Sequence, residues 1–491
     1  MPPLRDPAAL GRLRARLEEL GFTPAGVREL FGPNAAPPRL QADRALSVRR
    51  LPAGEPVSLA VSLFLLDLPV PAAAAERALS PDLERLGLAD RDGDELRARV
   101  QLAPHEGLLL ASDRLGALEE PDASPDHVAG VSPTSITLAS LTVRGQVDAA
   151  LDVGTGCGVQ ALLAGSHART VLGTDINPRA LEFAAFNAVL NDVANVAWDE
   201  GSLFDAVGRL QFDLVVCNPP FVVSPDTRYA FRDSDLPADE VSRRLVRGVP
   251  AHLAEGGFAH VLCNWGRRAG EGWEDEPRRW VEASGCDALL LHHRSDEPIA
   301  YAASWLQLVR AGDPSGYPAA LDRWLRLYRE QGYEALEYGT VTLRRRSGAS
   351  WVRAEELSPE AIGPSGAAVE GLFVARDFLA GLGHERALLD QAFSLADHRL
   401  EQVERRQEGR SVSEPARLLL EGGLPFAGTI DGPGLEVLSR VDGKRRVGAI
   451  LEEVSDALGL DRDAFTAVVL PIVRRLVELG FLVPARPESR P

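Results

Sequence analysis

The sequence predicts a mixed α/β protein, a doubly wound and mostly parallel sheet of seven strands flanked by two mostly helical, winged-helix-like modules. Three observations carry that expectation. Between Val128 and Arg346 short apolar runs alternate with helical segments, the pattern of a parallel sheet covered by helices. Two of these runs end in special turns, Asp152-Val-Gly-Thr-Gly-Cys-Gly158 and Asn218-Pro219-Pro220-Phe221. On either side, apolar residues recur at helical spacing. At 491 residues the chain is longer than one ordinary domain. The expected division is 1–125, 126–346 and 347–491.

In the first module Asp6-Pro7 opens a helix, Leu10, Leu13, Leu17 and Leu20 share its face, and Gly21 ends it. Thr23-Pro24 to Gly32 repeats the pattern. Val57 to Leu68 reads as a buried helix, and Ser80-Pro81 to Gly87 as a short one. Two strand-like runs follow, Glu95 to Leu102 and Gly107 to Ser112, separated by Pro104 and His105. Helices followed by a hairpin predict a module for substrate recognition or for homodimerisation.

In the central part strands are expected at 148–153, 170–175, 194–199, 212–217, 257–263, 286–293 and 335–345. Helices are expected at 159–168, 178–190, 239–254, 275–284 and 318–331. The last part carries a turn at Asp431-Gly-Pro-Gly434, a helix from Arg446-Val-Gly-Ala-Ile450, and a closing apolar strand at Phe481-Leu482-Val483-Pro484.

Composition narrows the function classes. With 45% hydrophobic and 25% charged residues the chain reads as a soluble globular protein. A formal charge of −18 leaves no global positive field for nucleic acid. An RNA would have to meet local clusters such as Arg243-Arg244-Arg247, Arg344-Arg345-Arg346 or Lys444-Arg445-Arg446. Lys444 is the only lysine, which leaves little room for Schiff-base chemistry. The four cysteines, Cys157, Cys217, Cys263 and Cys286, have no zinc-like spacing, so buried thiols and no metal site are expected. The N-terminus lacks a signal-peptide core, and the longest apolar stretch, Val57 to Leu66, is too short for a bilayer. A cytoplasmic protein without a membrane partner is the expectation.

Asp152, at the end of the first strand, precedes glycines 154, 156 and 158. Glycine permits positive φ and lets backbone approach a ligand without a Cβ clash. The helix from Val159 then turns its free N–H groups toward that ligand. A dinucleotide fingerprint would need a small residue at position 159, where valine stands. Asp175 ends the second strand, where a carboxylate can accept both ribose hydroxyls. Ile176 would flank an adenine, and Ser202-Leu203 follow the third strand where the adenine edge would lie. Ser132-Pro133-Thr134-Ser135 opens the helix before strand one.

This stretch resembles class I S-adenosylmethionine (SAM)-dependent methyltransferases over residues 128–310, whose sheet is Rossmann-like and seven-stranded. The resemblance implies SAM as cofactor, with Asp152, Gly154, Thr155, Gly156 and Gly158 near its methionine end. It implies Asp175 and Ile176 on the nucleoside, Ser202 and Leu203 near adenine, and Asn218 beside the methyl group. Many relatives carry an acidic residue where Ser202 stands, and Asp205 is the nearest substitute.

Asn218-Pro219-Pro220-Phe221 resembles the signature of the "small-domain" group, which methylates amine or amide nitrogens. A conjugated NH₂ is a poor nucleophile because its lone pair is delocalised. The Asn218 oxygen and the Pro219 carbonyl can accept its two hydrogens, so catalysis is positioning and electrostatics. Phe221 would stack an acceptor plane. Relatives methylate ribosomal RNA amines or the glutamine of release factors. Tyr229-Ala-Phe-Arg232-Asp-Ser-Asp235 and Arg243-Arg244-Leu245 look like the glutamine-methylating branch, whereas Phe221 stands where that branch carries tyrosine. The leading expectation is a nucleobase amine in RNA. The alternatives are a protein or peptide glutamine-type amide, a small natural product, or a non-catalytic SAM-binding regulator. His292-His293 reads as a structural pair.

Overall fold

The computed structural model describes residues 4–32, 37–119, 124–227, 231–233, 236, 239–307, 310, 313–357, 363–401, 404–407, 410–413 and 415–485. The chain divides into two compact units, Met1–Ala139 with Gly145–Glu355, and Ser140–Arg144 with Glu356–Pro491.

In the first unit, Asp6 and Thr23 cap helices Pro7–Glu19 and Pro24–Phe31 by accepting from Ala9 N and Gly26 N. The apolar run after Pro56 forms a short α-helix, Pro56–Ala60, that widens into a π-helix, Val61–Leu65. The expected short helix at Ser80 to Gly87 is instead a series of turns. The expected strand Glu95 to Leu102 breaks at Arg99. Glu95–Ala98 joins a three-stranded sheet with Val70–Pro71 and Ala89–Asp92, whereas Gln101–His105 pairs with Leu108–Ser112 in a separate hairpin. Pro104 and His105, expected between strands, lie inside that hairpin.

The central sheet follows in chain order. Helix α1 (Pro133–Leu141) leads to β1 (Val147–Val153), then α2 (Val159–Ala164), β2 (Ala168–Asp175), α3 (Pro178–Leu190), β3 (Val196–Glu200) and β4 (Phe212–Cys217). Next come α4 (Glu240–Gly248), β5 (Leu253–Arg268), α5 (Asp275–Val281), β6 (Cys286–Asp296), α6 (Pro298–Trp305), α7 (Tyr317–Gln331), β7 (Tyr333–Arg345) and β8 (Val352–Glu356). The strand order is β8-β6-β7-β5-β4-β1-β2-β3. Strands β1 to β5 run parallel, and β7 pairs antiparallel with both β5 and β6. The seven expected strands are all present; β8 and α6 were not anticipated.

Two boundaries moved for physical reasons. The helix expected to 254 stops at Gly248, because Pro250 falls in a 3₁₀ turn and the chain then re-enters the sheet at Leu253. Strand β5 bulges at Gly256-Gly257 before resuming opposite Leu214. Gly256 has φ +83°, and a Cβ on Gly257 would lie 2.9–3.0 Å from three carbonyl oxygens, so only glycine fits.

Helices α2 and α3 are apolar nearly all round, since all six residues of α2 are buried and α3 buries Phe183, Phe186 and Leu190 among others. The reason is a core shared with the N-terminal segment, in which Leu10, Phe64 and Leu110 pack with Leu162 and Phe183. Two asparagines seal the junction. Asn187 Oδ1 accepts from Ala111 N (2.7 Å) and its Nδ2 donates to Ala111 O and Cys157 O (both 2.8 Å). One helical turn on, Asn191 makes the same pair of bonds to Leu109 N and O (both 2.8 Å).

In the second unit, Asp431 caps helix Gly432–Leu438 by accepting from Gly434 N, and helices Val447–Leu458 and Arg462–Glu478 follow. The closing strand Leu482–Pro484 pairs antiparallel with Phe393–Leu395. Among the described residues no helix is long and apolar enough to cross a membrane.

Candidate active site

Strands β1 and β4 are neighbours, with Val153 opposite Cys217, so the glycine turn and the Asn-Pro-Pro turn emerge side by side. Here the strand order reverses, and ligands of open α/β sheets bind in the crevice at such a point. A cleft of about 600 Å³ opens there. Its walls include Asp152, Gly154, Thr155 and Gly156, then Asp175, Ile176, Ser202 and Leu203, then Asn218, Pro219 and Phe221. Gly158 and Asp205 do not line it. Gly158 has φ +89° and opens α2, and a Cβ there would press on Ala184 at 3.1 Å and Trp198 at 3.3 Å. Packing alone therefore requires glycine there.

The glycine turn is fastened from both sides. Thr155 Oγ1 and Ala161 N donate to Asp152 Oδ2 at 2.6 and 3.0 Å. Gly154 N and Thr155 N donate to Thr174 O, and Gly156 N donates to Asp175 Oδ2 at 2.8 Å. Gly154 and Gly156 have φ +71° and +56°, and a Cβ on either would meet nothing within 4 Å. The turn is therefore a bare backbone cradle with free space above it, which suits SAM. Ile176 is 64% exposed on the cleft, an apolar surface available to an adenine. Burial pushes the Asp152 carboxyl up to about 7 and raises that of Asp175. Leu203 sits at φ +50°, a costly conformation for a bulky side chain, on the wall expected to meet the adenine edge.

On the acceptor side, Asn218 Nδ2 donates to Ser135 Oγ at 3.4 Å, and Ser135 is held in turn by Ser132 Oγ (2.9 Å). The Ser132–Ser135 segment is thus tied to the Asn-Pro-Pro motif. Among the described residues nothing donates to Asn218 Oδ1 or to the Pro219 carbonyl. Phe221 is only 7% exposed and packs on Tyr338 (ring centroids 5.8 Å), so little of its ring is left for an acceptor.

Sequence reasoning missed one wall of the cleft. His127, Val128 and Gly130 line it, held by Asn177 Nδ2 donating to Asp126 O (2.9 Å) and by an Arg179–Asp113 ion pair. Burial pushes the His127 imidazole down to about 4, so it is neutral at pH 7. The only signal was the spacing of Asn177 and Arg179 after Asp175. The Arg232–Asp233 pair is buried in the same cleft, whereas Tyr229, Ala230, Ser234 and Asp235 lie outside the described residues. His292 Nε2 meets Glu337 Oε2 at 2.8 Å and His293 Nε2 meets Thr340 Oγ1 at 2.9 Å, and neither histidine lines the cleft.

Part of each arginine cluster is paired within the fold, whereas Arg247 and Arg345 meet backbone carbonyls. Arg243 and Arg244 both donate to Glu240 (2.6 and 2.7 Å), and Arg344 and Arg346 both donate to Asp287 (2.7 Å each). Arg445 pairs with Asp442 and Glu453 at 3.0 Å.

Residues 132–266 match the methyltransferase small domain family, and residues 19–99 match a domain of unknown function, DUF7059. The chain is 33% identical over 130 residues to a release factor glutamine methyltransferase of Xylella fastidiosa, covering 24% of this chain and 47% of that protein. It is 33% identical over 153 residues to a ribosomal protein uL3 glutamine methyltransferase of Bradyrhizobium diazoefficiens, covering 28% and 47%. The chain thus spans about half the length of these curated relatives.

Proposed function

We propose, from the premise that residues 132–266 are a methyltransferase small domain of the class I group, that the chain uses SAM to methylate the side-chain amide nitrogen of a glutamine in a protein or peptide. The observation that carries the reading is one continuous cleft. It joins the bare glycine cradle and Asp175 to two open acceptors, Asn218 Oδ1 and the Pro219 carbonyl. This acceptor replaces the RNA amine expected from sequence. The named relatives methylate protein glutamines, and a formal charge of −18 gives the chain no global positive field for a phosphate backbone.

Asp152, Gly154, Thr155 and Gly156 would hold the methionine end of SAM, Asp175 the ribose, and Ile176, Ser202 and Leu203 the adenine. When bound, SAM supplies an electrophilic methyl group on a sulfonium. Asn218 Oδ1 and the Pro219 carbonyl accept the two hydrogens of the acceptor amide, which turns its lone pair out of conjugation. Ser135 takes the Asn218 NH₂, which fixes the amide with its oxygen toward the acceptor. The nitrogen becomes acidic once methylated and sheds its proton, so the chain needs no dedicated base. With His127 neutral, Arg232 balanced by Asp233 and Arg244 bonded to Glu240, the acceptor side of the cleft suits an uncharged group.

Methyl-labelled SAM offered to separated protein and RNA fractions, followed by mass spectrometry, tests the reading. The expected product is methylated glutamine, and label confined to RNA would overturn it. Asn218→Ala should lower kcat about a hundredfold or more, the loss of roughly 2.7–4 kcal/mol of transition-state positioning. Affinity for S-adenosylhomocysteine should hardly change. Full turnover in that variant would reduce the motif to a structural turn.

A further inference from the structure

The loop that carries the acceptor groups cannot hold itself. Residues 218–227 adopt no regular secondary structure, and Pro219 and Pro220 contribute no N–H donor. Val223, two residues past Phe221, is fully buried, so both of its backbone polar groups need partners. Both partners are tyrosine hydroxyls from outside the matched domain. Val223 N donates to Tyr301 Oη of α6 at 3.1 Å, and Tyr328 Oη of α7 donates to Val223 O at 2.8 Å.

The two rings meet edge to face at 6.2 Å and are 2% and 1% exposed. Tyr301 Oη also lies 2.7 Å from the side-chain amide of Asn264 on β5. With the Asn264 nitrogen turned to the carbonyls of Glu337 (3.3 Å) and Cys263 (3.2 Å), the hydroxyl donates to the Asn264 oxygen and accepts from Val223. Every group is then satisfied. Farther along the loop, Trp324 Nε1 and Arg323 Nη2 of α7 donate to the two oxygens of Asp226 at 2.7 and 2.8 Å.

We propose that α6 and α7, inserted between β6 and β7, are a positioning device for the acceptor loop. In it Tyr301 and Tyr328 grip both sides of Val223 and so set where Asn218 Oδ1 and the Pro219 carbonyl stand. This deepens the proposed function and rests on it. The matched domain ends at residue 266, whereas the device comes from residues 298–331. Tyr301 and Tyr328 are positioning residues, because they act through the loop and touch neither cofactor nor acceptor groups.

The test compares Tyr301→Phe, Tyr328→Phe and the double variant Tyr301→Phe/Asn264→Leu in the full chain. Five quantities are read: affinity for S-adenosylhomocysteine, hydrogen exchange at the Val223 amide, thermal stability, and kcat and KM for methyl transfer to a short glutamine-containing peptide. Tyr301→Phe should speed Val223 exchange about tenfold or more, since one local bond is lost. It should lower kcat about tenfold to a hundredfold, because small misplacements of oriented groups cost that much. Cofactor affinity should stay unchanged. The double variant also removes the Asn264 oxygen that Tyr301→Phe orphans but leaves Val223 N unpaired, so it should recover part of the lost stability without recovering kcat.

Unchanged Val223 exchange, or kcat restored together with stability, would overturn the proposal and leave the tyrosines as core residues. Asn218→Ala in parallel keeps the two readings apart. If it retains turnover, the proposed site falls. If it is inactive while both tyrosine variants are unimpaired, the positioning device alone falls. A wild-type chain that methylates no such peptide removes the glutamine acceptor, and Val223 exchange still decides whether Tyr301 holds the loop.

Discussion

Asp152 and Asp175 end adjacent strands, and each spends its carboxylate on the glycine turn before any ligand arrives. Asp152 has the harder environment. It is 1% exposed, and burial outweighs the bonds from Thr155 and Ala161, so its pKa rises from 3.8 to about 7. In the unfolded chain the same group ionises near 3.8. Between about pH 4 and pH 7 the folded state therefore binds more protons than the unfolded state, and stability falls as pH rises through that window. Asp152→Asn removes this term while keeping an oxygen for Thr155 and Ala161. The melting temperature of the variant relative to wild type should climb from pH 4 to pH 7 and level off above. A difference that stays flat across melts from pH 4 to 8 would show that Asp152 is already ionised in the fold. Asp175 is the acidic neighbour that raises Asp152 further, so its own ionisation sharpens the effect.

At the scale of elements, α3 does what a strand would do. Asn187 and Asn191 lie one helical turn apart and offer their amides to Ala111 and Leu109, which alternate along one edge of a strand. Each side chain copies the donor–acceptor pair of a neighbouring strand, so the hairpin edge is satisfied by a helix. Asn187 also reaches Cys157 O inside the glycine turn, which couples the hairpin to that turn. Asn187→Ala leaves an N–H and two carbonyls buried and unpaired. At about 1–3 kcal/mol for each orphaned group, it should destabilise the chain by roughly 3 kcal/mol or more in chemical denaturation. Affinity for S-adenosylhomocysteine should fall as well. A loss below about 1 kcal/mol would mean that water replaces the asparagine.

For the molecule as a whole, the two ends of the chain stand in different relation to the cleft. The N-terminal segment shares a core with α2 and α3, and residues 125–130 form a wall of the cleft. Residues from Glu356 onward belong to the other unit, and the described residues that line the cleft fall between Pro125 and Trp305. A chain ending at Glu355 should therefore bind S-adenosylhomocysteine with near wild-type affinity in calorimetry. A chain beginning at Asp126 should bind none and expose Phe183 and Phe186 to solvent. Equal affinity in the second truncation would make the N-terminal segment a separable module. We propose acceptor recognition as the role of the flanking regions, since the residues that would hold SAM lie within 152–218.

The sequence by itself determined seven of the eight strands of the sheet, the position of both turns and the bounds of α3 at Pro178 and Leu190. These are local properties: apolar period, proline entry and glycine in the left-handed region are set by neighbours within a few residues. It also placed Asp152, Gly156, Asp175 and Asn218 at the ends of strands, and a strand end is where a crevice must lie. The tertiary structure decided what local patterns do not encode. At Gly158, read from the sequence as a ligand glycine, the fold adds a packing demand, because Ala184 and Trp198 arrive from other elements. His127, Asn187 and Tyr301 carry no motif, and their partners Phe231, Ala111 and Val223 are distant in sequence. Such bonds exist only after the chain has buried both faces of α2 and α3, because a polar group seeks its partner in three dimensions once water is gone.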